Sequence, residues 1–312
     1  MSTAVVFGYG DVGVRCLATL LAQGVTVALV VTHADDPNET QWYASLHRFA
    51  VEHDLPVHLS DEPSGADLQA KVAACAPDFL FSFYYRRMIP RSLLDCAGRG
   101  ALNMHGSLLP QFRGRAPVNW VLVMGATETG ASLHYMADKP DAGNLVDQMA
   151  VPILPDDTAY DVFRKVCAAA EFVLHRSLPA LLAGTAPSVV QNLSAGRYFG
   201  ARRPQDGEIN WSWDAQRIHN LVRAVAPPFP AARTMLDEAP ARIFRTRVVK
   251  VAAPALASPA LFTHDGHCFA RCGDGSVLRL LEVEIAGQVV DIAALAARLV
   301  AGPIALPAKA PA

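Results

Sequence analysis

The sequence predicts an α/β fold: a doubly wound, Rossmann-like parallel sheet followed by a smaller C-terminal β-barrel-like (OB-like) domain. Three observations carry that expectation. Short apolar runs alternate with helical patterns as far as Met124, the spacing of a parallel sheet with crossover helices. The turn GYGDVG joins the first run to the first helix through Gly8, Gly10 and Gly13. After about residue 205 the pattern changes to short strands broken by Pro and Gly.

The elements follow in order. Ala4–Phe7 is a strand, Val12–Ala22 repeats its apolar positions at helical spacing, and Val25–Val31 is a second strand. Tyr43–His53 reads as a helix, Pro56–Leu59 as a short strand and Asp67–Cys75 as a helix. Asp78–Phe83 (DFLFSF) is a buried strand, Pro90–Cys96 a short helix, Ala101–Met104 a strand and Pro117–Met124 a helix. From Gly130 the segments ASLHYMA and NLVDQMAVPI form a strand pair joined by DKPDAG. Thr158–Leu182 is a long helical stretch. The polar, Gly- and Arg-rich QNLSAGRYFGARRPQDGE holds the expected boundary, giving domains over 1–204 and 205–305. Trp211–Val225 looks helical, APPFP interrupts, and ARIFRTRVVKV, HCFARC and SVLRLLEVEI follow as strands. Residues 306–312 are expected to be a flexible or loosely docked tail.

Composition excludes several functions. The 312 residues are 52% hydrophobic and 18% charged, enough for a sizeable core. A formal charge of −2 argues against a strongly basic nucleic-acid binder. No basic-plus-apolar segment precedes Val5, and no apolar run reaches about 18 residues without a charge or Pro. Neither a secretory signal nor membrane insertion is therefore expected. Cys16, Cys75, Cys96, Cys167, Cys268 and Cys272 show no framework, which suits reduced thiols and a cytoplasmic location. His264, His267, Cys268 and Cys272 form either a metal set or a hairpin turning at Asp265-Gly266. Placing four ligands tetrahedrally would need two tight turns, so a hairpin and no metal are expected. The second strand runs into Asp35 and Asp36, where a ribose-binding acid would stand, so GYGDVG leaves an NAD-binding oxidoreductase open.

The densest chemistry lies in ALNMHGSLLPQFRGRAPVNW. Asn103 and His105, two apart on a strand end, share one face, and Gly106-Ser107 breaks the strand at once. An amide that donates to an oxyanion beside an imidazole that moves a proton suits acyl chemistry, although such a pair alone is more often structural. NMHGSLLP, FRGRAP and the later Asp141-Ala142-Gly143 together resemble the 10-formyltetrahydrofolate-dependent formyltransferases, over the whole chain. FSFYYRRMI, ATETGASLH, DAGNLVDQ and RAVAPPFPAA bring the likeness nearest to members that formylate UDP-4-amino-4-deoxy-L-arabinose.

The resemblance implies a formyltransferase catalytic domain over 1–204, with Asn103, His105 and Asp141 as the catalytic set. It implies 10-formyltetrahydrofolate as formyl donor, no metal and no NAD, because family members do not need the glycine fingerprint. Donor contacts are implied for Arg87, Met88, Ile89, the loop Ser107, Leu108, Leu109 and Pro110, Arg115, and Ala137, Asp138, Lys139, Pro140 and Asp141. Tyr84, Tyr85, Arg86 and Arg113 either hold a uridine and diphosphate or stabilise loops through ion pairs. The expected partner is a small nucleotide sugar. Another amino-sugar nucleotide remains an alternative acceptor, as does methionyl-tRNA. Residues 205–312 carry 11 Lys+Arg against 10 Asp+Glu, without the basic surplus a tRNA-gripping domain needs. A non-catalytic folate- or nucleotide-binding module is the alternative of a different class. The chain is expected to stand alone, without a fused dehydrogenase/decarboxylase half.

Overall fold

A computed structural model describes residues 2–37, 41–256 and 258–307. The chain divides into two units. The first comprises Met1–Pro117, Glu128–Pro152 and Arg164–Phe199, and the second Val118–Thr127, Ile153–Phe163 and Gly200–Ala312.

Five parallel strands build the body of the first sheet: β1 (Thr3–Gly8), β2 (Thr26–Thr32), β3 (Val57–Leu59), β4 (Phe79–Phe83) and β5 (Gly100–His105). Between them run α1 (Gly10–Ala22), α2 (Leu46–Glu52), α3 (Ala66–Ala74) and α4 (Arg91–Leu94). A two-residue strand β6 (Arg113–Gly114) and helix α5 (Pro117–Val123) follow. The strands β7 (Glu128–Tyr135) and β8 (Leu145–Pro152) then extend the sheet in the opposite sense. The order is β3-β2-β1-β4-β5-β7-β8. The sheet is thus doubly wound and parallel as far as β5, with an antiparallel edge that the strand-pair pattern foreshadowed. Val5, Phe7, Leu29, Val31, Leu80 and Ala101 on the strands cluster with Leu68 and Val72 of α3 and Leu93 of α4. Helix α6 (Ala159–Ala183) is long and apolar enough to cross a membrane, and half of its most apolar window is buried. The short β9 (Tyr198–Phe199) pairs with β6.

Two helices begin later than their apolar pattern suggests. Ser45 Oγ accepts the Arg48 N–H at 3.1 Å and starts α2 at Leu46, not at Tyr43. Asp214 accepts the Arg217 N–H at 2.8 Å and starts α7 (Ala215–Val225), leaving Trp211 outside it. The displaced Tyr43 has its own use. Gly10 adopts φ +61°, and a Cβ there would lie 3.8 Å from the Tyr43 ring, so this aromatic covers the fingerprint turn.

In the second unit β10 (Ala232–Leu236), β11 (Ala239–Val249), β12 (Ala260–His264), β13 (His267–Arg271), β14 (Val277–Ile285), β15 (Gln288–Val289) and β16 (Ile304–Ala305) form their own antiparallel sheet. It runs β10-β11-β14-β13-β12-β16, with β15 on β14, and curls into a half-barrel. Its core gathers Trp211, Ile218, Leu221, Ile243, Leu278 and Leu280, with Leu295 of α8 (Ile292–Arg298). Asp265-Gly266 turns the β12–β13 hairpin with both residues at positive φ. Burial pushes the Cys268 and Cys272 thiols up to about 12, which keeps them protonated. Leu306, which the sequence assigned to the tail, is buried and donates its N–H to Pro259 O. The last part of that tail, 308–312, lies outside the described residues.

Candidate active site

The site forms where β5 ends between a parallel and an antiparallel neighbour. Register places Asn103 opposite His134 and His105 opposite Ser132. Because alternate residues of a strand share a face, all four side chains belong to one surface of the sheet. The connection after β7 then returns Asp141 to that surface, with its backbone in the left-handed region at φ +53°.

Three nitrogens surround Asp141 Oδ1: Asn103 Nδ2 at 3.5 Å, His105 Nδ1 at 3.6 Å and His134 Nε2 at 3.6 Å. The other oxygen, Oδ2, accepts the Gly114 N–H at 2.8 Å. Gln191 Nε2 donates to the main-chain oxygens of Asp141 and Gly143, at 3.0 and 2.6 Å, and so ties down the loop that carries the carboxylate. Burial would raise the Asp141 carboxyl. In their protonated forms His105 and His134, with the Gly114 N–H, outweigh it and hold the group at about 2, so Asp141 is an anion at neutral pH.

Each histidine spends its outer nitrogen on a carbonyl. His105 Nε2 donates to Phe112 O at 2.9 Å, and His134 Nδ1 donates to Tyr135 O at 2.8 Å. In the neutral rings the inner nitrogens, His105 Nδ1 and His134 Nε2, therefore present lone pairs. Burial pushes the His105 imidazole below its ordinary value, against the opposing pull of Asp141. Desolvation thus outweighs the attraction of the carboxylate and favours a neutral ring that first accepts a proton at Nδ1.

The loop after His105 is held from below. Ser132 Oγ accepts the Leu109 N–H at 3.0 Å and donates to Ser107 O. Gln148 Nε2 donates to Leu109 O at 2.9 Å and to Ser132 Oγ at 2.7 Å. Ser107 Oγ donates to Gln111 O at 2.6 Å. Ser107 and Leu109 are buried, Leu108 and Pro110 partly so. The remaining residues named for the donor are spread between core and solvent. Ile89 is in the core, whereas Arg87 and Met88 are exposed. Arg115 is exposed and donates its main-chain N–H to Phe199 O. Ala137, Asp138 and Lys139 are exposed, Pro140 is half-buried, and Asp138 meets Arg91 at 3.4 Å.

The aromatic pair Tyr84-Tyr85 is not brought together as a platform. A Cβ on Gly106 would fall 1.8 Å from the Tyr84 hydroxyl, so that phenol occupies the space beside the strand break. Tyr85 is buried, stacks on His33 at 4.5 Å and donates to Ser60 O at 2.8 Å, so one face and its hydroxyl are already engaged within the protein. Arg86 is exposed, with its guanidinium 4.0 Å over the Tyr9 ring. Arg113 pairs in β6 next to Gly114, and its Nη2 donates to Leu193 O at 3.2 Å. Sequence reasoning passed over Ser132, His134, Gln148 and Gln191. The available signal was the spacing of Ser132 and His134, which repeats the i, i+2 step of Asn103 and His105.

An anionic carboxylate, a neutral imidazole with a free lone pair and an amide N–H on one polar surface can accept a proton and stabilise a developing oxyanion. Residues 3–178 match the family described as formyl transferase, and residues 202–299 match the formyl transferase C-terminal domain. The chain belongs to the formyl transferase family. This formyl transferase is also similar in fold to solved relatives. One is an N-formyltransferase from Helicobacter canadensis in complex with folinic acid and dTDP-3-aminofucose, 19% identical with a TM-score of 0.70 over 93% of this chain and 100% of that one. A 4-N formyltransferase from Francisella tularensis is 20% identical, with a TM-score of 0.61 over 74% of this chain and 91% of that one. A sugar N-formyltransferase from a Shewanella species is 18% identical, with a TM-score of 0.62 over 82% and 99%.

Proposed function

We propose that this enzyme moves the formyl group of 10-formyltetrahydrofolate onto the amine of a nucleotide-linked amino sugar, with UDP-4-amino-4-deoxy-L-arabinose as acceptor. The observation that carries the reading is the convergence of Asn103 and His105 on one oxygen of Asp141 beside the Ser107–Pro110 loop. The folate donor and the sugar acceptor draw support from the Helicobacter canadensis relative, whose ligands are folinic acid and dTDP-3-aminofucose. The arabinose acceptor rests on the resemblance of FSFYYRRMI and GSLLPQFRGRAPVNWVLV to the formyltransferase half of the bifunctional polymyxin-resistance enzyme. It implies a role in lipid A modification, in the cytoplasm. The same resemblance supports a catalytic domain over 1–204 and a β-rich domain over 205–305.

In this mechanism His105 Nδ1 takes the proton that the attacking amine sheds and passes it to the departing N10 of the folate. The new C–N bond forms first, giving a tetrahedral intermediate, and the C–N10 bond breaks as that intermediate collapses, so the proton is conserved between the two nitrogens. Asn103 donates to the oxygen of the tetrahedral intermediate. Asp141 stabilises the imidazolium while it exists and orients its ring. The Ser107–Pro110 loop, propped by Ser132 and Gln148, offers main-chain groups and two leucines to a flat pteridine.

A kcat/KM series with 10-formyltetrahydrofolate and three acceptors tests the reading: UDP-4-amino-4-deoxy-L-arabinose, a dTDP-3-amino sugar and methionyl-tRNA. The arabinose should rank first. A higher value for the dTDP sugar or the tRNA overturns the acceptor, and no transfer to any amine overturns the chemistry.

A further inference from the structure

We infer that His134 is a positioning residue for Asn103: its Nε2 accepts one amide hydrogen, fixes which way the amide points and leaves a single N–H for the oxyanion. The inference rests on the formyl-transfer reading and assigns that reaction a fourth side chain.

Geometry makes the assignment. His134 is 1% exposed, so both ring nitrogens need partners inside the protein. Nδ1 lies 2.8 Å from Tyr135 O, an atom that only accepts, so Nδ1 carries the hydrogen. In the neutral ring Nε2 is then a lone pair, and Asn103 Nδ2 stands 3.1 Å from it. The reverse placing of the amide would set Asn103 Oδ1 against that lone pair at 3.1 Å and against the anionic Asp141 Oδ1 at 3.5 Å. With the ring neutral, two acceptor–acceptor contacts at once disfavour it. The amide nitrogen therefore faces the cluster, with one hydrogen on His134 Nε2 and the other directed towards Asp141 Oδ1 over a long 3.5 Å.

That second hydrogen is held loosely enough to be released to a substrate oxygen, whereas the first is not. A buried strand histidine that merely fills space would not need its acceptor nitrogen at this position. The antiparallel register supplies it, since His134 is the residue paired with Asn103. The arrangement also separates the two imidazoles by task. His134 Nε2 is occupied by an N–H donor, which leaves His105 Nδ1 as the lone pair free to take a proton.

Two substitutions of similar size distinguish positioning from packing. In His134→Gln the side-chain oxygen can reach the place of Nε2 and still accept from Asn103. In His134→Asn the shorter amide can reach the place of Nδ1 and serve Tyr135 O, but nothing accepts from Asn103. His134→Asn should lower kcat about 10- to 100-fold, the cost of a misdirected catalytic group, with the KM of donor and acceptor held. His134→Gln should recover kcat to within a few-fold of wild type. A second readout is independent of turnover: the N–H···N bond should give a 15N–15N coupling between Asn103 Nδ2 and His134 Nε2 in wild type, lost in His134→Asn. Equal kcat losses in folded Gln and Asn variants, an unimpaired His134→Asn, or no coupling in wild type each overturn the inference. A wild type that formylates no acceptor overturns the parent reading, and the coupling alone then decides whether His134 holds the amide.

Discussion

Asp141 Oδ1 is the point on which the candidate residues converge, and each contact has a separable consequence. Asn103→Ala removes an oxyanion donor worth roughly 3–4 kcal/mol in comparable acyl-transfer sites, so kcat should fall about 100- to 1000-fold. Steady-state kinetics at saturating acceptor should show the folate KM nearly intact, and a selective KM effect would make Asn103 a binding residue instead. The pH profile follows from His105. Burial holds its pKa below 6.5, so the acid limb of kcat/KM should lie below that value. Asp141 opposes burial, so Asp141→Asn should move the limb to still lower pH and reduce the maximum; a limb that moved upward would contradict the assignment. Stability has the matching sign. The unfolded chain binds a proton on His105 before the folded one does, so stability falls as pH drops below 6.5. Asp141 adds a loss between its ordinary 3.8 and about 2. Asn103, His105 and Asp141 were legible because NMHGSLLP and DAG are separated elements that agree. His134 was not, since a single histidine in an apolar strand looks like core until the register of β5 and β7 is known.

At the level of elements, the antiparallel β7–β8 pair brings both the histidine and the loop that supports the carboxylate. Its turn is tight: a Cβ on Gly143 would fall 1.8 Å from Tyr135 O. Gly143→Ala should cost about 1–3 kcal/mol by overpacking, and should lower kcat because the same turn carries Asp141. Denaturant unfolding and turnover measured on one preparation check both, and unchanged values would mean that the turn yields without moving the carboxylate. Strands were the most readable elements, because short runs such as FLFSF are almost wholly apolar. Strand direction was less readable, since alternation carries no polarity. The starts of α2 and α7 were overrun because apolar residues continue on the N-terminal side of their Ser45 and Asp214 caps.

For the molecule as a whole, two separate cores mean that damage to one should register locally. Trp211 is fully buried and donates its indole N–H to Thr234 Oγ1 at 2.8 Å. Trp211→Ala should cost about 3–5 kcal/mol. Hydrogen exchange should lose protection in β10–β16, and equal loss in β1–β5 would show that the two cores unfold together. The change from strand–helix alternation to short strands announced this division. That residues 118–127 and 153–163 group with the C-terminal unit was not legible, because such membership depends on tertiary contacts between distant segments.

The left-handed backbone at Asp141 narrows what can stand there before any chemistry is considered. At φ +53° glycine is comfortable and Asn and Asp are tolerated, whereas longer or branched side chains strain. Glutamate would therefore carry the charge only at a backbone strain that aspartate avoids, and alanine would confound lost charge with a distorted turn. Asparagine is the replacement that leaves the main chain at rest. Of the three residues that the backbone welcomes, aspartate alone brings a negative charge, so a change to either of the others loses the anion beside His105.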